Sequence, residues 1–137
     1  MFMGSFEHSL DPKNRLFVPA AFREELGDSF VICRAPENCL FIYSNAGWEK
    51  VVAPLHNDGP TTLEDRRRQR RAYANAAIVT IDGKGRITVP QKFCDHAGFD
   101  KNVVLIGQGN RIEVWNADKW NEELDFCDEM EETPLSY

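Results

Sequence analysis

A mainly β fold with short helices (α+β), in which two tandem halves share one pseudo-symmetric barrel, is predicted by three features of this sequence. The chain repeats itself: residues 10–27 read LDPKNRLFVPAAFREELG and residues 81–98 read IDGKGRITVPQKFCDHAG. Each copy sets short runs of β-branched and aromatic residues between turns rich in Gly, Pro and Asn, as strands and hairpins require. One copy holds too few apolar residues to close a core alone, so the two are expected to interleave their strands.

The repeat is decisive because a mis-set period mis-assigns the whole fold. Without gaps, seven of the 18 positions are identical: Asp11/Asp82, Lys13/Lys84, Arg15/Arg86, Val18/Val89, Pro19/Pro90, Phe22/Phe93 and Gly27/Gly98. Unrelated segments of average composition would share roughly one. Downstream, Phe30–Cys33 answers Val103–Ile106, Leu40–Tyr43 answers Ile112–Trp115, and Trp48 answers Trp120.

Each copy has the same local grammar. A strand enters (about Phe6 to Leu10, and Ile78 to Ile81) and meets a tight turn running from Asp to Arg. Gly83 and Gly85 are expected to supply positive φ in the second turn; in the first, Pro12 fixes φ and Asn14 tolerates the left-handed region. A strand then leaves (Leu16 to Val18, Ile87 to Val89). Pro19 and Pro90 stand where a helix would begin, Gly27 and Gly98 where it would stop. A buried hairpin follows, closed by Ala35-Pro36-Glu37-Asn38 or Gly107-Gln108-Gly109-Asn110. Ser44 and Asn116 then suit the N-caps of helices carrying Trp48 and Trp120.

Between the copies, Asp58-Gly59-Pro60 breaks the chain, and Thr61-x-x-Glu64 has the form of a capping box before a helix over about Thr62 to Ala74. The expected organisation is a first repeat over 5–47, a linker with an arginine-rich helix over 48–75, a second repeat over 76–119, and an acidic C-terminal helix or tail over 120–137.

Composition narrows the function. Hydrophobic residues at 42 % and charged residues at 28 % are ordinary for a soluble domain. No apolar run approaches the roughly 20 residues of a membrane span, and the N-terminus lacks a basic region followed by an apolar stretch. The expected compartment is the cytoplasm. Cys33, Cys39, Cys94 and Cys127 form no C-x-x-C pair, and neither they nor His8, His56 and His96 have zinc-ligand spacing, so buried reduced thiols are expected, with no metal and no cofactor.

The net charge of −6 argues at first against nucleic acid. Its distribution reverses that reading. Glu122, Glu123, Asp125, Asp128, Glu129, Glu131 and Glu132 follow Trp120 without a Lys or Arg among them, and the rest of the chain carries about one net positive charge. Salt screens a separate tail beyond a Debye length of about 8–10 Å, so its acids do not exclude DNA elsewhere.

The paired D-x-K-x-R turn followed by V-P resembles the swapped-hairpin AbrB superfamily. Two copies in one short chain that opens Met1-Phe2-x-Gly4, each copy ending on a Trp, resemble its MraZ family. The resemblance implies a double-psi-type swapped-hairpin barrel, a closed ring of identical subunits, and transcriptional regulation at G-rich direct repeats in the promoter of the division and cell-wall gene cluster. It places the protein at the nucleoid. Asp82-Gly83-Lys84-Gly85-Arg86 fits the family pattern in full; the first motif departs from it at Pro12 and Asn14.

The chemistry of these residues suits double-stranded DNA. Arg15 and Arg86 follow tight turns, and a planar guanidinium pairs bidentately with guanine O6 and N7. Lys13 and Lys84 suit phosphates, because an ammonium is a point charge without directional code. Asp11 and Asp82 would repel DNA if aimed at it, and are expected instead to accept backbone N–H groups and shape the loop, together with Asn14, Gly83 and Gly85. Arg66, Arg67, Arg70 and Arg71 form a further basic surface on the linker helix. Its i,i+4 like-charge pairs need acidic compensation, from phosphates or from carboxylates of the tail or a neighbour.

Two rivals remain. An AbrB-type antitoxin module would use the acidic end to wrap a protein partner. A barrel enzyme would need one of the Asp residues to titrate high, whereas each lies beside Lys and Arg, which hold it ionised. No nucleophile–base constellation or P-loop is present, so neither catalysis nor a small-molecule substrate is expected.

Overall fold

The computed structural model describes residues 1–56, 59 and 61–130. Of the sequence expectations, the break at Asp58-Gly59-Pro60 lies partly outside these residues, and the acids Glu131 and Glu132 wholly outside.

Among the described residues, eight strands and five α-helices follow one another in the order the repeat demands. The first half supplies β1 (Ser5–Ser9), β2 (Arg15–Phe17), α1 (Ala20–Leu26), β3 (Ser29–Arg34) and β4 (Leu40–Tyr43). Next come α2 (Asn45–Val52), a 3-10 turn (Ala53–Leu55) and α3 (Leu63–Ala74). The second half repeats the series as β5 (Ala76–Thr80), β6 (Arg86–Thr88), α4 (Gln91–Ala97), β7 (Asn102–Gly107) and β8 (Ile112–Asn116), and α5 (Ala117–Glu129) ends it.

The halves exchange strands, as one incomplete core per half requires. A six-stranded antiparallel sheet runs β1-β7-β8-β4-β3-β5, and a separate ribbon pairs β2 with β6. Replacing each strand by its counterpart in the other half reads the same sheet backwards, so a pseudo-two-fold axis passes between β4 and β8 and through the ribbon. β1 of the first half pairs with β7 of the second, Ser5 opposite Ile106 and Ser9 opposite Asn102. β5 of the second half pairs with β3 of the first, Ser29 opposite Thr80.

One core results. Phe22, Leu16, Phe30 and Ile32 from the first half interlock with Ile87, Phe93, Leu105 and Val114 from the second, all essentially inaccessible to water. Phe2 and Phe6 meet Phe22 edge-on at 5.7 and 5.1 Å, tying the N-terminal segment into the same core. That segment also explains Gly107: a Cβ there would fall within 2.6 Å of the Met3 backbone.

Helix ends follow their sequence signals with one shift. The Ser44 side chain accepts from Gly47 N, and the Asn116 side chain accepts from Asp118 N and Lys119 N. The capping box of α3, however, is Thr62/Asp65 rather than Thr61/Glu64. Asp65 N donates to Thr62 Oγ1 at 3.0 Å and Thr62 N donates back to Asp65 Oδ2 at 2.9 Å. Asp, one carbon shorter than Glu, closes the same reciprocal pair one residue later. Cys33, Cys39 and Cys94 are buried, burial pushing the Cys33 thiol up to about 11; Cys127, on α5, is exposed.

Candidate nucleic-acid interface

The two D-x-K-x-R turns are built alike, and the aspartate builds them. Asp11 Oδ1 accepts from Lys13 N at 2.9 Å and from Arg15 N at 2.8 Å, while its Oδ2 accepts from Arg15 Nε at 2.6 Å. Asp82 accepts from Lys84 N, Arg86 N and Arg86 Nε, each at 2.9 Å. At Asp11, desolvation raises the pKa but is outweighed by hydrogen bonds from Arg15 and Lys13, so the carboxyl is held below its ordinary value. At Asp82 the Arg86 backbone N–H is the largest influence, and the net direction is again downward. Both carboxyls are thus kept ionised, whereas general-acid work needs a raised pKa.

Only one residue per turn takes positive φ: Asn14 at 59° and Gly85 at 80°. Gly83 does not, contrary to the sequence expectation. Its counterpart is Pro12, which is confined to negative φ, so this turn position never needed glycine's freedom. The left-handed residue of each turn clamps the other half. Val89 N donates to Asn14 O at 2.8 Å, and Val18 N donates to Gly85 O at 2.9 Å.

The ribbon brings the two arginines together. Arg15 lies opposite Thr88, Leu16 opposite Ile87 and Phe17 opposite Arg86. Strand alternation sends Leu16 and Ile87 into the core, at 0 % and 1 % exposure, and turns Arg15, Phe17, Arg86 and Thr88 to the other face. Two residues along the strand and one strand across place the arginine Cα atoms about 8 Å apart, on the order of two base steps. Lys13 and Lys84 are exposed at the turn tips. Among the described residues each arginine side chain is held through its Nε alone, which leaves the Nη edge of the guanidinium for another acceptor.

Three residues beside this face escaped the sequence reading. Arg23, on α1, donates from Nε to Val18 O at 2.7 Å, and its guanidinium lies 4.5 Å from the Phe17 ring centroid. It also covers Gly85, where an added Cβ would collide with it. Phe17 is 37 % exposed and meets His8 at 5.2 Å. The first turn differs: the corresponding helix position is buried Cys94, and Asn14 instead donates from Nδ2 to Gln91 Oε1 at 2.8 Å. Arg23 belongs to the first repeat yet serves the turn of the second, so only the strand exchange reveals it.

The arginines of α3 form a separate group. Arg66 donates to Thr61 O and Oγ1, and Arg68 lies 3.7 Å from Glu64 and 3.8 Å from Asp65. Among the described residues, Arg67, Arg70 and Arg71 have no carboxylate within 4.0 Å.

Strand exchange between duplicated halves, with twin aspartate-braced basic turns on one ribbon, defines a duplicated swapped-hairpin protein. The chain belongs to the MraZ family: a family model described as "MraZ protein, putative antitoxin-like" matches residues 1–71 and again 72–136. Relatives match it over most or all of its length. A protein of Lachnoclostridium phytofermentans named transcriptional regulator MraZ is 38 % identical over 142 aligned positions covering all of both chains. Namesakes from Ligilactobacillus salivarius and Heliobacterium modesticaldum are 42 % and 40 % identical over 96 % and 88 % of this chain, and 90 % and 85 % of their own.

Proposed function

We propose that this chain is an oligomeric, sequence-specific DNA-binding transcriptional regulator and not an enzyme. Its working surface is the β2–β6 ribbon face. Arg15 and Arg86 read guanines, Lys13 and Lys84 neutralise phosphates, and Asp11, Asn14, Asp82, Gly83 and Gly85 shape the loops. Arg23 adds a third guanidinium beside the second loop. The observation that carries this reading is the paired brace: each arginine is fixed by an ionised aspartate through Nε, with its outer edge unspent. A guanidinium oriented in advance loses little freedom on docking to a guanine edge or phosphate. The relatives' name, that of transcriptional regulators rather than enzymes, supports the class. The MraZ resemblance supports the target, G-rich direct repeats upstream of division and cell-wall genes, and a homo-oligomeric ring working at the nucleoid in the cytoplasm. The same organisation supports the expected division into repeats 5–47 and 76–119, the arginine-rich linker 48–75 and the acidic end 120–137.

The test is Arg15→Ala combined with Arg86→Ala. Specific binding to DNA selected from a random pool should be lost, with the melting temperature shifting by no more than a few degrees, because exposed residues contribute little to folding. Arg86→Ala alone should weaken binding more than Arg15→Ala, since Gly83, exposed and without a side chain where the first loop has Pro12, lets the second loop approach DNA more closely. Retained specificity in the double variant would overturn the reading. The family's antitoxin-like description favours one alternative, capture of a protein partner by the acidic end; stable co-purification of such a partner in the absence of DNA would support it.

A further inference from the structure

Two surfaces away from the ribbon have no role in the reading above. The first is an open groove of about 640 Å³ between α2, α3 and the β3–β4 strands. Phe41, Tyr43, Trp48 and Val51 line it with apolar surface, and Arg68 and Arg71 of α3 add positive charge. The second is α5. Trp120 packs on Trp115 with ring centroids 5.8 Å apart and anchors the first turns of the helix to the body. Beyond it the helix stands free, with Leu124 39 %, Phe126 66 % and Met130 68 % exposed.

The free part of α5 is two-sided. At 100° per residue, Trp120, Leu124, Phe126 and Cys127 fall within an arc of about 160°, interrupted by Glu123. Glu122, Asp125, Asp128 and Glu129 occupy the opposite arc, and no Lys or Arg follows Lys119. The groove offers the complement: apolar lining beside a helix whose Arg67, Arg70 and Arg71 have no carboxylate partner among the described residues. Arg67 and Arg71, like Arg66 and Arg70, are i,i+4 pairs that repel in an isolated helix. No residue of α5 lines the groove of its own chain.

We propose that the groove receives the free part of α5 from a second copy of this chain. The apolar stripe covers Phe41, Tyr43 and Val51, and Glu123 within the stripe, with Glu122 and Asp128 at its two edges, meets the arginines of α3 that line the groove. Donor and acceptor are different surfaces, so each chain can give one helix and take another. The contact is head-to-tail and propagates until it closes. The inference rests on the proposed ring assembly and supplies its junction.

Native mass without DNA tests it. The wild-type chain of 15.7 kDa should run as an assembly larger than a dimer. Phe126→Arg, which spoils the donor, and Arg68→Glu with Arg71→Glu, which spoil the acceptor, should each give folded monomers, with a melting temperature lowered by the loss of assembly but still a single cooperative transition. Deleting residues 122–137 should act as Phe126→Arg does. The decisive experiment mixes the donor and acceptor variants in equal amounts. One sound helix and one sound groove remain, so the mixture should form pairs and nothing larger, which also shows both variants to be folded. A wild-type assembly that survives either variant, or a mixture that stays monomeric, overturns the junction but leaves the assembly reading standing. A wild-type monomer overturns both. Loss of a foreign partner from the acceptor variant, at unchanged mass, would assign the groove elsewhere and refute the proposal.

Discussion

Asp11 and Asp82 each collect three N–H donors from the two residues they are meant to fix, and the pH behaviour of the loops follows. Both folded pKa values lie below the ordinary 3.8. A carboxyl depressed in the folded state contributes stability that is fully present above the unfolded pKa of about 3.9 and is lost as pH falls through the folded value. The loops should therefore be indifferent to pH between about 5 and 8 and lose their brace only well into acid. Side-chain carboxyl titration followed by NMR should place both midpoints below 3.8; a midpoint at or above it for either residue would mean that its brace does not form in solution. The shaping role of these aspartates was readable in advance, because an Asp two residues before a turn amide carries its chemistry locally. Arg23 was not, because Gly85, the turn residue it covers, is brought to it from the other half. Local spacing contains no trace of that meeting.

Among the elements, the ribbon is the least self-sufficient and the most consequential. β2 and β6 have three residues each, too short to persist alone. Leu16 and Ile87 hold them by burial in the common core, and the Val18 and Val89 amides lock each strand to the opposite turn. Ile87→Ala should destabilise the protein by about 2–5 kcal/mol through lost burial and a residual cavity. It should also weaken DNA binding, although the side chain points away from the proposed contact face. Chemical denaturation and binding assays on one preparation would check this; full affinity together with a large stability loss would show that the arginines do not depend on the ribbon. Strands, proline-led helices and both N-caps were legible in the sequence because turn and cap residues act within a few positions. The Thr62/Asp65 box was misplaced by one residue because Thr61 and Thr62 both precede an acid at the right spacing, and only hydrogen-bond geometry separates them.

On the scale of the molecule, duplication was legible but strand partnership was reachable only by argument, from a half too poor in apolar residues to stand alone. On the proposed reading, one chain presents two arginines for bases and two lysines for phosphates. Base contacts discriminate by about 1–3 kcal/mol each, which supports weak recognition only. Several chains in one assembly make later contacts intramolecular, and a head-to-tail assembly presents its loops in a repeated orientation that suits direct repeats rather than palindromes. Affinity should thus rise steeply from one direct repeat to several in phase, and the slope of log affinity against log salt should steepen as more phosphates are neutralised. Curvature of a closed ring adds a deformation cost to DNA or protein. Titrations at several salt concentrations on operators with one to four repeats would check this; a slope independent of repeat number would contradict it.

The pairing of Ser5 with Ile106 also has a consequence for biosynthesis. The first strand leaves the ribosome roughly a hundred residues before its partner exists, an interval on the order of 5–20 s at ordinary elongation rates. Throughout that time Phe2, Phe6, Phe22 and Phe30 have no completed core to enter. The nascent first half is then a sticky, half-finished surface, and in a polysome it lies near other first halves able to offer the same strands. Two neighbouring chains can satisfy that need by exchanging halves with each other instead of waiting for their own.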